Sequence, residues 1–453
     1  MARLTRLALS LALFSIAGTL AQAQQAQLGR IARVQVKVAK LIAHVYVGSG
    51  SGILAFSATQ DGQLEAVPGS PFNDNLSLMG ANGRYLFGFE PSSVIIDSFS
   101  IAANGALKKA ATTDTQQYWP LTDCPLTWWN GQGLRIDHSG QELYNAAIPE
   151  DLFCYSTFQS YSINNANGQL TYQTDTDKIF YGGPILSILG NNDFAYSPNC
   201  AAAFGNGPSP SVTVFQRVSN GQLDTVNASV PIPAAPDDTF NPDGPAAGYY
   251  CPITTATDPA NHLAMTLQAV ENVSDGPGAY YGPVVIAVFT ADTRGNLATT
   301  STYQNMATIP VDSNYNGTCL ACATLRMAPS GDLLAAGGTG GVVLYHFNGG
   351  SQATMYKSLL AGDNITQILW DNTHHMYALG SDTKGAGKLW VFTVTPTSVT
   401  EAPGSPHSIP EPGNIVVQPF LELSLASGSK VPLRRPFAEK PLKRMAPIPL
   451  RAR

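Results

Sequence analysis

The sequence predicts an all-β fold: a seven-bladed β-propeller of four-stranded blades, its ring closed by pairing a C-terminal strand with the N-terminal strands. Three observations predict it. A strand–turn–strand unit recurs seven times between residues 43 and 420, the composition suits strands and turns, and the two ends of that region each read as part of one blade.

Composition sets the class. Of 453 residues, 44% are hydrophobic and only 12% charged, with 42 Gly and 32 Pro. Gly and Pro break helices, whereas β-branched residues fit a pleated surface. No convincing amphipathic helix follows residue 30.

The recurring unit is an apolar, aromatic-bearing strand, a polar turn ending in Gly, and a Leu that opens the next strand. It runs from Ile53 to Leu64, Ile95 to Leu107, Phe158 to Leu170, Val212 to Leu223 and Val285 to Leu297. Shorter copies run from Val342 to Gly350 and from Leu389 to Pro396. Asn-Gly between strands is a strong hairpin signal. Between copies lies a second hairpin, at Leu76 to Phe87, Leu134 to Tyr144, Thr324 to Leu334 and Ile368 to Tyr377. One inner and one outer hairpin make a propeller blade. The segment Ala43 to Val47 reads as a later strand lacking its first, and Asn414 to Pro419 as a first strand lacking successors. Pairing them closes the ring and removes two open edges.

The flanks carry other signals. Residues 1–23 read as a signal peptide: Arg3 and Arg6 precede an apolar run from Leu7 to Leu20, then the small-x-small site Ala21-Gln22-Ala23. That run falls short of the roughly 20 residues a membrane helix takes; a retained anchor is the competing reading. A basic segment, residues 24–42, leads into the propeller at 43–420. Residues 421–453 read as a basic, Pro-rich disordered tail, with Lys430, Arg434, Arg435, Lys440, Lys443, Arg444, Arg451 and Arg453 against Glu439. It is either solvated or meets an anionic surface. The whole chain is nonetheless −6, so the body is acidic, which argues against a nucleic-acid partner. An exported protein, periplasmic or secreted, without a membrane span after signal removal and monomeric, is expected.

With strands a to d running outward from the channel, the a–b and c–d turns share one face and the b–c and d–a loops the other. The long insertions, Lys108 to Gly131, Ser197 to Pro210, Asp224 to Tyr250 and Glu271 to Pro283, all fall on the second face. Loops this long are usually functional, so that face is the expected binding surface. Cys124, Cys251, Cys319 and Cys322 fall in d–a loops, and Cys154 and Cys200 just after b strands. An even count in an exported chain suggests disulfides, with connectivity open beyond Cys319 and Cys322 forming a tight local pair. A zinc reading of Cys319 and Cys322 lacks a second ligand pair. No metal and no cofactor are expected.

Candidate ligand-binding residues follow from position. Arg135 and Arg326 occupy equivalent inner-strand sites in two blades, at the same offset from Ser139 and Ser330. Asp137, two residues after Arg135, falls on the same strand face. Together these could grip an anionic or sugar-like ligand; structural ion pairs are the plainer alternative. Trp128 and Trp129 could stack on sugar rings or pack between blades. His138, His262 and the pair His374-His375 flank short turns and read as turn residues. No nucleophile elbow, phosphate loop, HExxH or EF-hand is present.

The Gly-x-Leu turns, with Val67-Pro-Gly-Ser-Pro-Phe72 and its echo Ala402-Pro-Gly-Ser-Pro406, resemble the lactonase-type seven-bladed propellers. These include the propeller-type 6-phosphogluconolactonases and the fungal muconate-lactonising enzyme. The resemblance covers nearly all of residues 43–420. It implies metal-free lactone chemistry by His and Arg from inner strands and a Glu. Opening a lactone needs a base for water and cations for the developing oxyanion. The matching heads of the a strands are Asn75, Gln132, Ile253, Ala323 and Ile365, none of them His or Arg. Glu90, in Phe87-Gly-Phe-Glu-Pro, resembles the family's Glu and is the catalytic candidate. The expected function is therefore a lactonase-like propeller acting on a small molecule or sugar. The alternative is a non-catalytic propeller binding a protein or polysaccharide partner.

Overall fold

The computed structural model describes residues 40–89, 93–115, 134–147, 157–176, 185–203, 207–218, 220–236, 248–272, 279–310 and 324–420. Among them every regular element is a strand. Blade 1 takes its second to fourth strands from β1 (Leu41–Ser49), β2 (Gly52–Thr59) and β3 (Leu64–Ala66). Blade 2 is β4 (Met79–Ala81), β5 (Tyr85–Phe89), β6 (Ile95–Ile101) and β7 (Leu107–Asp114). Blade 3 is β8 (Arg135–Ile136), β9 (Glu142–Ala147), β10 (Thr157–Ile163) and β11 (Leu170–Asp175). Blade 4 is β12 (Ser187–Ile188), β13 (Phe194–Ala203), β14 (Gly207–Arg217) and β15 (Leu223–Val226). Blade 5 is β16 (Tyr249–Thr257), β17 (His262–Asn272), β18 (Ala279–Ala291) and β19 (Leu297–Ala298), with β20 (Ala307–Ile309) also on β18. Blade 6 is β21 (Thr324–Met327), β22 (Leu333–Gly338), β23 (Gly341–Phe347) and β24 (Ala353–Leu359). Blade 7 is β25 (Asn364–Trp370), β26 (His375–Ser381), β27 (Gly387–Val394) and β28 (Val399–Glu401), with β29 (His407–Ser408) on β27. The last strand, β30 (Pro412–Pro419), returns to β1 as the first strand of blade 1.

That return is the expected closure. Val45 pairs with Val417 and Tyr46 with Val416, and Phe420 N donates to Ile42 O at 2.8 Å. The first strands touch in order around the ring: β30 with β4, β4 with β8, β12 with β16, β16 with β21, β21 with β25 and β25 with β30. Side chains tie neighbours together where the backbones cannot. Asn414 Oδ1 accepts from Met79 N at 3.1 Å, Gln367 Oε1 from Ile415 N at 2.9 Å, and Thr257 Oγ1 donates to Ile188 O at 2.7 Å.

The core lies between blades, not inside them. Among the described residues seven apolar clusters form, each shared by two neighbouring blades. Tyr85, Phe87 and Phe89 of blade 2 meet Leu143, Tyr161 and Ile163 of blade 3. Each such buried side chain contributes roughly 1.5–3 kcal/mol. Inner strands are covered on both faces, so β22 is buried throughout and reads Leu-Leu-Ala-Ala-Gly-Gly. Outer strands such as β24 are mostly exposed beyond Ala353. Inner strands therefore read as continuous apolar runs, whereas outer ones carry the polar residues.

The repeated turn glycine has a second task. In blades 1 to 6 the c–d turn holds a glycine at positive φ: Gly62, Gly105, Gly168, Gly221, Gly295 and Gly349. Each lies over a residue at or near the start of the second strand of the preceding blade. A Cβ on Gly105 would stand 2.7 Å from His44, on Gly168 2.7 Å from Tyr85, and on Gly295 2.7 Å from Phe194. Tyr46, Tyr144 and Tyr196 add hydroxyl bonds to the carbonyls of Gly105, Gly221 and Gly295.

The Pro-Gly-Ser-Pro motif is architectural as well. Ser70 Oγ accepts from Ala55 N at 2.9 Å, and Ser405 Oγ from Val391 N at 3.0 Å. Each serine completes the outer edge of a third strand after a three-residue fourth strand has ended. Both following Ser-Pro bonds, Ser70–Pro71 and Ser405–Pro406, are cis.

Two insertions expected as loops are strands instead. Ser197 to Pro210 lies largely within the β13–β14 hairpin, paired out to Ala203 and Gly207. Glu271 to Pro283 is largely the far end of β17 and β18, where Glu271 pairs with Tyr280 and Asn272 with Ala279. These b–c hairpins are four to five residues longer than the six-residue β22, or roughly 15 Å at about 3.3 Å per residue. Lys108 to Asp114 is the edge strand β7. Residues 227–236 carry no regular element, yet Val230, Ile232 and Ala235 pack on the seam between blades 4 and 5.

Candidate functional site

The candidate site is built from one layer of the innermost strands. The first strands each place one residue at a shared level, opposite equivalent positions of the second strands. These residues are Val416, Gly80, Arg135, Ser187, Ala256, Arg326 and Leu369, opposite Tyr46, Phe87, Tyr144, Tyr196, Ala264, Ala335 and Tyr377. Arg135 and Arg326 are the two charges of this layer, three blades apart. Gly80, Ser187 and Ala256 beside them are small.

These two arginines hold the same register in blades 3 and 6. Burial depresses the Arg135 pKa to about 10. Burial, and then the positive charge of Arg135 itself, push Arg326 well below the ordinary arginine value. Each nevertheless keeps some solvent-accessible surface. Arg135 Nε donates to Leu186 O at 3.1 Å, across the step from blade 3 to blade 4. Arg326 is steadied by an Nη1 bond to Leu325 O at 2.9 Å, and its own carbonyl accepts from Trp370 Nε1 at 3.4 Å. Two guanidiniums within each other's field raise each other's cost, and an anion seated between them lowers it.

Asp137 is taken up by its own turn and by blade 4. β8 ends at Ile136, and Asp137 begins the turn, where its carboxylate organises the chain. Its Oδ1 accepts from Gln141 N and Glu142 N at 2.9 and 3.0 Å. Its Oδ2 accepts from Ser139 at 2.5 Å and Asn192 at 2.7 Å and pairs with Arg217 at 3.0 Å. Burial alone would raise its pKa, but these donors and Arg217 bring it below the usual carboxylate value. The same construction recurs at Asp258 and Asp371, which hold His262 at 2.6 Å and His375 at 2.9 Å. Those histidines were expected in turns, but they open β17 and β26, and His375 is buried.

At the a–b end the turns touch neighbour to neighbour. Asn82 Nδ2 donates to Gly140 O at 2.9 Å, Asn192 Oδ1 accepts from His138 N at 3.1 Å, and Gly190 lies against Pro259. The opposite face carries the long hairpins of blades 4 and 5.

Glu90, Trp128, Trp129, Cys124, Cys154, Cys319 and Cys322 lie outside the described residues. So do Gln132 and Ala323, while Asn75, Ile253 and Ile365 are described and contribute no charge. Cys200 and Cys251 belong to strands β13 and β16 and not to loops. Cys251 is disulfide-bonded. Among the described residues no group of three or more His, Cys, Asp or Glu could hold a metal, and no helix is long and apolar enough to cross a membrane. Sequence reasoning passed over Glu142, a buried carboxyl at a blade seam; aligning the heads of the second strands exposes it as the one acid among rings and a leucine.

Neither a family model nor a curated protein matches the sequence. Solved structures do. The periplasmic gluconolactonase of Pseudomonas aeruginosa is 15% identical with a TM-score of 0.52, covering 83% of this chain and 99% of its own. A hypothetical selenium-binding protein from Sulfolobus tokodaii is 10% identical with a TM-score of 0.51, covering 84% and 94%. A functionally unknown protein from Desulfotomaculum acetoxidans is 14% identical at 0.49, covering 83% and 98%. The fold they share with this chain is the seven-bladed β-propeller. The different names it carries among these similar structures leave activity to be argued from the site.

Proposed function

We propose that the protein is an exported, metal-independent lactonase-type hydrolase, acting on a small molecule or sugar lactone that enters from the face bearing the long hairpins. The observation that carries this reading is the placement of Arg135 and Arg326 in one layer of the innermost strands. In lactone hydrolysis water adds to the acyl carbon, the ring C–O bond breaks, and the freed oxygen takes a proton to give a hydroxy acid. Negative charge grows on the carbonyl oxygen and persists in the product carboxylate. A pair of fixed cations suits both, and more so where water is scarce. Glu90 is the proposed base for the attacking water, and Trp128 and Trp129 the proposed sugar-stacking surface. The likeness to a periplasmic gluconolactonase and the signal-like N-terminus support export. Cystines among the six cysteines are proposed to fasten the rim, with Cys251 one of the bonded residues.

The competing reading is a binding propeller, favoured by the uncharged heads Asn75, Ile253 and Ile365. A panel of sugar and aromatic lactones separates the two. Turnover is expected for at least one, falling on the order of 100-fold in Arg326→Gln if the guanidinium faces the oxyanion. A folded protein with no turnover on any lactone would leave binding as the function.

A further inference from the structure

The seam between blades 3 and 4 breaks the repeat. The second-strand residue two before the layer residue packs beneath the outer-turn glycine of the next blade at six seams, and at five of them it is an aromatic or imidazole ring: His44, Tyr85, Phe194, His262 or His375. In blade 6 the same register position is Leu333. In blade 3 it is Glu142. This side chain is 7% exposed, and its Oε2 has no hydrogen-bond partner. Gly221 presses on it so closely that a Cβ there would stand 2.2 Å from Cγ and Cδ.

The groups facing Glu142 are already committed. Arg217, from β14, holds Asp137 through Nη2 at 3.0 Å and donates from Nε to the Tyr144 hydroxyl at 3.2 Å. Tyr144, two residues along β9, donates to Gly221 O at 2.6 Å. Asp137, from the preceding turn, accepts from the Glu142 backbone and spends its other oxygen on Ser139, Asn192 and Arg217. Burial raises the Glu142 pKa, Arg217 pulls it down and Asp137 pushes it up, leaving it at about 7. A neutral carboxyl suits this packing, whereas a carboxylate here is a buried charge whose nearest cation is engaged elsewhere.

We propose that the seam between blades 3 and 4 is a proton-operated joint, closed while Glu142 keeps its proton and loosened when Glu142 ionises. The joint borders the proposed site, because Arg135 pairs with Tyr144 in the same sheet and precedes Asp137 by two residues. It does not draw on the proposed chemistry and stands whether or not the protein hydrolyses lactones.

The folded carboxyl releases its proton near 7 and the free one near 4.5. Between those values the folded chain holds more protons, so stability falls as pH rises through the window and levels off above it. Thermal unfolding of the full mature chain and of Glu142→Gln, from about pH 5 to about pH 8, tests this. The wild-type midpoint is expected to fall by a few degrees relative to the Gln variant across the window. A difference independent of pH overturns the joint. Hydrogen exchange in the wild type gives a second reading that needs no variant. Amides around Gly221 are expected to open more above neutrality than those around Gly105 and Gly295, after correction for intrinsic rates. Equal opening at the three turns overturns it as well.

Discussion

At Gly295 a single hydrogen atom separates two blades. Its φ is +82°, and a Cβ would stand 2.7 Å from the Phe194 ring. Gly385 has nearly the same backbone, φ +81°, with nothing within 4 Å. Alanine at Gly385 should cost only the left-handed backbone penalty, about 1–2 kcal/mol. Alanine at Gly295 should cost a further 1–3 kcal/mol or so for overpacking. Urea unfolding of both variants measures the difference, and equal losses would mean the seam yields freely at this contact. The polar turn ending in Gly, with a Leu soon after it, located the Gly295 turn in the sequence, because hairpin chemistry is local. It was silent on the neighbour each glycine presses, since that neighbour is brought there only by ring closure. The candidate site divides the same way. Arg135 and Arg326 were legible because their offset from Ser139 and Ser330 repeats. Asp137 follows Arg135 toward blade 4, where Asn192 and Arg217 take up its carboxylate, a partnership that strand periodicity does not reveal.

Among the elements, β30 carries the closure. Val416 is 7% exposed, pairs with Tyr46 and packs with Leu86 and Phe99 in the seam between blades 1 and 2. Val416→Asp sets an unpaired charge there and should remove about 3–5 kcal/mol. Met355→Asp, on the exposed edge strand β24 where Met355 is 50% exposed, should change stability by less than about 0.5 kcal/mol. If the two variants melt alike, β30 does not hold the ring. The ends of the propeller were readable because each left a blade incomplete. The hairpins β13–β14 and β17–β18 were not, because their prolines and glycines imitate loop composition. Pro208 and Pro210 are tolerated in β14 because β15 pairs only with Val214 to Arg217, so no hydrogen bond is lost on the outer edge. Tertiary pairing there overrides local preference.

For the whole molecule, the distribution of the core decides how the chain unfolds. Each apolar cluster draws on two blades, so an isolated blade keeps no core of its own, and the closed circle is the cooperative unit. No blade is then privileged as the place where the chain ends meet. The ends of the propeller already lie side by side, with Phe420 bonded to Ile42. The turn around Gly385 has open space on the surface. A permuted chain that joins residue 420 to residue 41 through a short Gly/Ser linker, with new ends at Lys384 and Gly385, moves the closure from blade 1 to blade 7. Every seam cluster survives this change, and only the location of one noncovalent strand pairing differs. Exposed turns of this kind are where permutation is generally tolerated. The permutant should fold with an unchanged circular dichroism spectrum and melt within a few degrees of the parent in one transition. A permutant that fails to fold, beside a parent that folds normally, would show that the β30–β1 pairing does more than close the circle, and that one blade must form before the rest.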